Sequence, residues 1–297
     1  MADNQVRVIL WSIPRTVSTA FVKCMSNLAD VQVINEPYLS TYVVGPDMKH
    51  PSREDLQEIL KIFVNKSKEV KLKYDGGWDT DNATYKFVKE SLLEAEYPGK
   101  KVVFVKDMSY AVTWKLHMLP QGYRHAFLIR HPAKVFSSWK KMYNTFTPDN
   151  EVIIENDGVF IPKKYAFGES LQLYEHLIKT GIDPDPFIID TDDLLENPEL
   201  ILKQFCERTR IQYTDKLLKW NAGDGIIQEW KASNVFVQGN ELFGFYKNAF
   251  DSQHFYKPTP VPGRSELPDD VNACVDGALP YYEKMYTLRL RAEKINE

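Results

Sequence analysis

The chain is 297 residues long, 43% hydrophobic and 26% charged, which suits a folded protein able to bury a full core. A net charge of −4 and a pI near 5.9 lack the basic surplus of a nucleic-acid-binding chain, although a locally basic cleft fits within that total. No apolar run approaches a membrane span, Met1–Gln5 is too short and polar for a signal peptide, and Cys24, Cys206 and Cys274 are widely spaced. These features predict buried thiols in a cytoplasmic protein, with no nucleic-acid partner and no membrane partner.

In chain order, Val6–Leu10 reads as a strand buried on both faces. The polar loop 12–19 follows, and then Phe21, Met25 and Leu28 at helical spacing. Val31–Asn35 is a second strand, with Glu36-Pro37-Tyr38 at its end. Segment 39–51 reads as loop, and Ser52-x-x-Asp55 as a capping-box-like start to an amphipathic helix. After a basic stretch, Lys66–Lys73, and a turn at Gly76-Gly77-Trp78, another amphipathic helix is marked by Tyr85, Val88, Leu92 and Ala95. Val102–Val105 is a third strand, ending in Lys106-Asp107-Met108, and a short helix over 109–118 leads to a fourth at 125–129. A helix is predicted over 132–143, a surface excursion over 144–163, and a helix around Leu171–Ile178. Phe187–Ile189 is the fifth strand, and Asn197-Pro198 opens a helix running to Arg208. Residues 221–263 are rich in aromatics, Gly and Asn with weak periodicity, as in segments that fold over a ligand. Two helical stretches, Val271–Leu279 and Tyr281–Ala292, are separated at Pro280.

Strands alternating with helices predict one α/β domain over residues 1–297. Its parallel sheet of about five strands would be covered on both faces, with the site at the strands' carboxyl ends. Arg15, Glu36, Lys106, Arg130 and Thr191 follow five successive strands and would converge there. Excursions near 39–51, 76–81, 144–163 and 231–262 would shape a pocket beside that site.

The loop Ser12-Ile13-Pro14-Arg15-Thr16-Val17-Ser18-Thr19 places backbone N–H groups at a helix N-terminus, where an anion is favoured; Arg15 adds a forked cation and Thr16, Ser18 and Thr19 add hydroxyls. It lacks the Gly-Lys-Ser/Thr step of a Walker loop. Standing alone, it reads as an ordinary βα turn with a Ser/Thr cap. A second stretch, Phe127 to Trp139, ends a strand at Arg130 and places Ser138 eight residues on. With both in view, the chain resembles the cytosolic-type sulfotransferase family. There a Pro-Lys/Arg-Ser-Gly-Thr-Thr loop holds the 5′-phosphosulfate of 3′-phosphoadenylyl sulfate (PAPS), and an Arg-x₇-Ser pair grips its 3′-phosphate. Asp190-Thr191-Asp192-Asp193-Leu194-Leu195-Glu196-Asn197-Pro198 resembles the family's Tyr-Glu-Asp-Leu-x-x-Asp-Pro block.

The resemblance implies a P-loop-like fold. It also implies sulfuryl transfer from PAPS to a hydroxyl, less readily an amine, of a small-molecule acceptor, with 3′,5′-bisphosphate (PAP) as product and no metal required. Arg15 and Lys106 would stabilise the transferring group. The family's histidine base falls at Met108, and the candidate replacements are Glu36, which resembles the base of a bacterial carbohydrate-type branch, and Asp107; His131, adjacent to Arg130, is expected to pack beside the nucleotide instead. Glu36 could equally cap an amide or pair with Arg15. Val17 stands at the loop glycine, so its φ must stay negative or the backbone is strained. Ala20 replaces a stacking tryptophan, which leaves Phe21, Thr191 or Trp230 for the adenine, and Arg264 is the nearest late cation for the 3′-phosphate. Tyr38, Trp78, Tyr110, Phe236 and Phe243 are pocket candidates, although core packing is the better reading of each taken singly. A homodimer is left open. Two rivals stand: a nucleotide-dependent kinase or NTPase on the same architecture, and a nucleotide-binding protein that has lost catalysis.

Overall fold

The computed structural model describes residues 5–48, 54–71, 74–146, 153–154, 162 and 164–291. In chain order the elements are β1 (Val6–Ser12), α1 (Ser18–Met25), β2 (Val31–Asn35), α2 (Pro37–Val44), α3 (Glu54–Glu69), α4 (Tyr85–Phe87), β3 (Val102–Met108) and β4 (Arg124–Ile129). They continue with α5 (Pro132–Phe146), α6 (Phe167–Thr180), β5 (Phe187–Asp190), α7 (Thr191–Glu196), α8 (Pro198–Thr209), β6 (Trp230–Ala232), α9 (Asn234–Phe243), α10 (Lys247–Phe250) and α11 (Asp269–Thr287).

The strands form one parallel sheet in the order β5-β4-β1-β3-β2-β6. Alternation along each strand divides the core between the two faces. Ile9, Trp11, Val103, Val105, Phe127 and Ile129 face a cluster completed by α2, α5, α6 and α11. Val8, Leu10, Phe104, Ala126 and Leu128 face another, built with α1 and α8. Both faces are buried, which is why these strands read as nearly continuous apolar runs. In register, Asn35 lies opposite Lys106 and Ser12 opposite both Met108 and Leu128, so the carboxyl ends of β1–β4 lie side by side.

All five expected strands are present, with a sixth, β6, that three residues were too few to announce. The expected loop at 39–51 is helical as far as Val44. Its residues, PYLSTYVV, are buried on nearly every side, so no polar stripe marks the helix. Residues 76–81 carry a bridge from Trp78 to Ser233 and the start of a 3₁₀ turn, Thr80–Asn82. The excursion 231–262 contains α9 and α10. Most of 144–163 lies outside the described residues, as do 49–51, 72–73, Ser52 of the capping box and Ala292. The helix expected over 109–118 is instead two single 3₁₀ turns, Ser109–Ala111 and Leu116–Met118. Past Phe87, α4 continues as a π-helical turn, Val88–Leu93. Helix α11 runs through Pro280, which sits on its exposed side, where one missing backbone bond is least disruptive.

Candidate active site

The β1–α1 turn is shaped by Thr16, whose hydroxyl donates to the Ile13 carbonyl at 2.7 Å. Arg15 and Val17 both adopt left-handed conformations, with φ of 66° and 64°. Val17 therefore takes the strained alternative: a β-branched residue is held where glycine would be at ease. Ser18 and Thr19 open α1, and no side chain caps that N-terminus. Thr191, buried at the end of β5, directs its hydroxyl at the carbonyls of Thr16 (3.0 Å) and Ile129 (2.8 Å). It braces the turn against β4 and is unavailable as an adenine platform.

Arg15 Nε donates to Ser138 Oγ at 3.0 Å, and Arg15 Nη1 lies 3.5 Å from the Phe245 carbonyl. Arg130, at the end of β4, donates from Nη1 to the Arg15 carbonyl at 3.0 Å. The fold thus gathers Arg15, Arg130 and Ser138 in one place. Burial, followed by the neighbouring Arg130 charge, lowers Arg15 from its usual range; burial lowers Arg130, opposed by Asp192 and Asp190. Among the described residues neither guanidinium forms a carboxylate ion pair, and the buried Arg130 Nε has no hydrogen-bond partner. Two close cations, an unused buried donor and an uncapped helix start make a site that is short of an anion.

About β2, the Glu36 N–H donates to the Lys106 carbonyl at 2.7 Å, following the register of β2 on β3. Glu36 itself is left-handed, with φ of 57°, and turns its side chain back along the strand ends. Its Oε1 accepts from Lys106 Nζ, and its Oε2 accepts from the Tyr246 hydroxyl at 2.6 Å. Glu36 and Lys106 are both buried. The pairing with Arg15 considered from sequence does not form among the described contacts; Lys106 takes that place. Tyr246 lies in the weakly periodic 221–263 stretch, where the aromatic richness was visible but no spacing singled it out.

Asp107, the alternative base, is taken up by backbone amides. Its Oδ2 accepts the Tyr38 N–H at 2.6 Å, and its Oδ1 accepts those of Leu39 and Met108 at 3.0 and 2.8 Å. It caps the start of α2, with its pKa pushed up to about 7 chiefly by burial. Met108 stands at the expected histidine position, with its sulfur 3.4 Å from Ser12 Oγ. His131 accepts the Ala133 N–H at 3.2 Å and sets its ring edge-on to Tyr282.

Several pocket candidates are core instead. Tyr38 is buried with its hydroxyl on the Met118 carbonyl at 2.5 Å, and Trp78 is buried with its indole N–H 3.3 Å from Ser40 Oγ. Tyr110 is buried edge-on against Tyr42, and Phe236 is buried as well. Phe21 is locked between Phe104 and Phe205. Trp230, 1% exposed, donates to Ser26 Oγ within the α1-side cluster and cannot stack on a ligand. Arg264 is exposed and held by Asp276 of α11, with no described contact to Arg15, Arg130 or Ser138. Among the described residues no group of three or more His, Cys, Asp or Glu could hold a metal ion, and no helix is long and apolar enough to cross a membrane.

Residues 6–63 and 86–288 match the family model for the sulfotransferase domain. The chain belongs to the sulfotransferase family. Among curated proteins it is similar to branched-chain-amino-acid aminotransferase-like protein 1 of Arabidopsis thaliana, 24% identical over 266 residues that cover 88% of this chain and 38% of that protein. Protein 2 of the same name is 26% identical over 227 residues, covering 74% and 33%. The chain therefore spans well under half the length of these relatives. Among solved structures, a sulfotransferase domain from the curacin biosynthetic pathway aligns with a TM-score of 0.44 at 14% identity, covering 92% of this chain and 96% of that one. A sulfotransferase from Alicyclobacillus acidocaldarius aligns with a TM-score of 0.45 at 8% identity, covering 83% and 94%.

Proposed function

We propose that this sulfotransferase moves the sulfuryl group of PAPS to a hydroxyl of a small-molecule acceptor and releases PAP. The observation that carries this reading is the convergence of Arg15, Arg130 and Ser138 beside the uncapped start of α1, with no carboxylate paired to either guanidinium among the described residues. The orphaned Arg130 Nε fits an anionic ligand group there, as a buried donor needs a partner. Arg130 and Ser138 would hold the 3′-phosphate, and Arg15, Thr16, Val17, Ser18 and Thr19 the phosphosulfate end. PAPS supplies an activated sulfuryl group joined to phosphate through a bridging oxygen.

Within such a site the chain's work is positioning and charge stabilisation. Glu36 accepts the proton of the acceptor hydroxyl as its oxygen bonds to sulfur. The electron pair of the broken S–O bond stays on the bridging oxygen, where Arg15 and the α1 amides stabilise the charge. Arg15 keeps its proton at neutral pH and acts as a fixed cation. Lys106, already on Glu36 Oε1, lies where it could share its ammonium with the transferring group. A carboxylate has about four acceptor directions and Glu36 uses two, so room for the acceptor hydroxyl remains. Half-buried Met142 and Phe245 lie beside Arg15, with Phe243 packed against Phe245, and support an acceptor with an apolar flank. Three buried, widely spaced cysteines support a cytoplasmic setting.

Calorimetry with adenosine 3′,5′-bisphosphate, ADP and ATP, with and without magnesium, tests the reading. Magnesium-independent binding that favours the bisphosphate is expected. Preference for ATP with magnesium would replace it with a kinase.

A further inference from the structure

We infer that Tyr246 is a positioning residue for Glu36, holding the base by its second carboxylate oxygen; this inference rests on the sulfotransfer reading above. Four observations converge on it. First, the Tyr246 hydroxyl donates to Glu36 Oε2 at 2.6 Å, while Lys106 occupies Oε1. One oxygen is held by a cation and the other by a neutral donor, which fixes the carboxylate plane as well as its place. Second, Tyr246 keeps its proton and therefore stays a donor, because burial and the adjacent Glu36 charge push its hydroxyl well above the usual range. Third, the tyrosine is itself anchored: its backbone N–H donates to Asn240 Oδ1 at 2.8 Å, and Asn35 Nδ2 lies 3.4 Å from its hydroxyl. Fourth, the residue before it, Phe245, offers its carbonyl to Arg15. Two successive residues thus reach the donor-side cation and the base.

The segment is also tied down from behind. Lys23 of α1 donates to the carbonyls of Gly223, Phe250 and Ser252 at 3.3, 3.0 and 3.3 Å. The helix that opens the anion site therefore holds the chain around α10, whose first turn follows Tyr246. The hydroxyl touches the base rather than the reacting atoms, so its effect on turnover passes through Glu36. The charged and titratable groups around Glu36 are Lys106 and Asp107 from β3, Tyr246 before α10, and Tyr74 beyond Tyr246.

The test compares the wild-type chain with Tyr246→Phe, which keeps the ring's edge contact on Phe250. The probe is ³⁵S-labelled PAPS with water as acceptor, read as released sulfate across a pH series, together with calorimetry of adenosine 3′,5′-bisphosphate. The variant is expected to lose about tenfold or more in kcat, as for a hydrogen bond to a charged group. Its KM for PAPS and its bisphosphate affinity should stay within about twofold, because the anion site is untouched. The acidic limb of its rate profile should move to higher pH, since the carboxylate loses a donor that stabilises its charged form. Replacing Tyr246 by 2,3-difluorotyrosine keeps the shape and strengthens the donor, and should move that limb to lower pH. A limb that neither replacement moves, in an active wild type, overturns the role of Tyr246 alone. A loss of bisphosphate affinity in step with rate does the same. A wild-type chain that binds no bisphosphate and releases no sulfate overturns the sulfotransfer reading, and this inference with it.

Discussion

Arg130 contributes to the site through what it lacks: a buried Nε with no partner, and no carboxylate among its described contacts. Arg130→Ala should weaken adenosine 3′,5′-bisphosphate by roughly 10–100-fold, as hydrogen bonds to charged groups are worth about 1.5–3 kcal/mol. Binding of adenosine 5′-phosphate, which lacks the 3′ group, should change little, so parallel calorimetry of the two ligands checks the assignment. Lys106 and Glu36 form a buried pair, and removing one partner strands the other charge. Lys106→Met should therefore destabilise the fold by about 3–5 kcal/mol in urea titrations, with the Lys106→Met/Glu36→Gln double variant less affected. At this scale the sequence proposes Arg15, Glu36, Lys106 and Arg130 because each stands at the end of an apolar run that reads as a strand, and Ser138 by its spacing from Arg130. It could not distinguish Glu36 from Asp107, since both stand at strand ends. Only the turn of the chain at Glu36, and the amides of α2 pointing at Asp107, separate a carboxylate held by Lys106 and Tyr246 from one that caps a helix.

Among the elements, strands and amphipathic helices were legible where one period dominated. Helix α2 was not, because it is buried on nearly all sides, and β6 was too short to show alternation. The π turn after α4 was read as an ordinary amphipathic helix, since i,i+3/i+4 spacing cannot expose one widened turn. Pro280 was read as a break, yet α11 continues through it. Restoring the missing donor toward the Asp276 carbonyl by Pro280→Ala should stabilise the protein by about 1–3 kcal/mol, read as a higher urea midpoint at unchanged slope. The β1–α1 turn behaves oppositely. Left-handed Arg15 and Val17 are held by the Thr16 and Thr191 hydroxyls. Thr191→Val removes that brace while keeping shape, and should cost about 1 kcal/mol of stability. A loss of bisphosphate affinity larger than this stability loss explains would show that the brace also shapes the anion site.

Across the whole molecule, His125 in β4 links stability to pH. It is buried, its Nδ1 accepts the Trp11 indole N–H at 2.8 Å, and burial pushes its pKa from 6.5 down to about 3. The unfolded chain therefore binds a proton that the folded chain refuses between about pH 6.5 and 3. The stabilisation is complete above that window and is lost as pH falls through it, amounting to about 2 kcal/mol by pH 5. Asp107, raised to about 7, acts in the opposite sense, since its protonated form favours the folded state as pH falls. The His125 contribution is thus read as the pH-dependent difference between wild type and His125→Gln, which retains an acceptor for Trp11 but does not titrate. That difference should narrow from pH 7 to pH 5. The α/β class and the convergence of strand ends were legible in the alternation of elements. The roles of Trp230, Tyr38 and Trp78 as core were not, because composition reports an aromatic without saying which face of the sheet it will occupy.

The strand order carries a consequence for the birth of the protein. β1 leaves the ribosome before the other five strands, yet its two neighbours are β3 and β4, which end at Met108 and Ile129. At about 5–20 residues per second, the apolar stretch Val8–Trp11 waits roughly 6–25 s for both partners. With every pairing parallel and non-local, closure of the sheet is slow by topology. The same central strand that leads into the Arg15 turn is, during synthesis, an apolar segment left long without its partners.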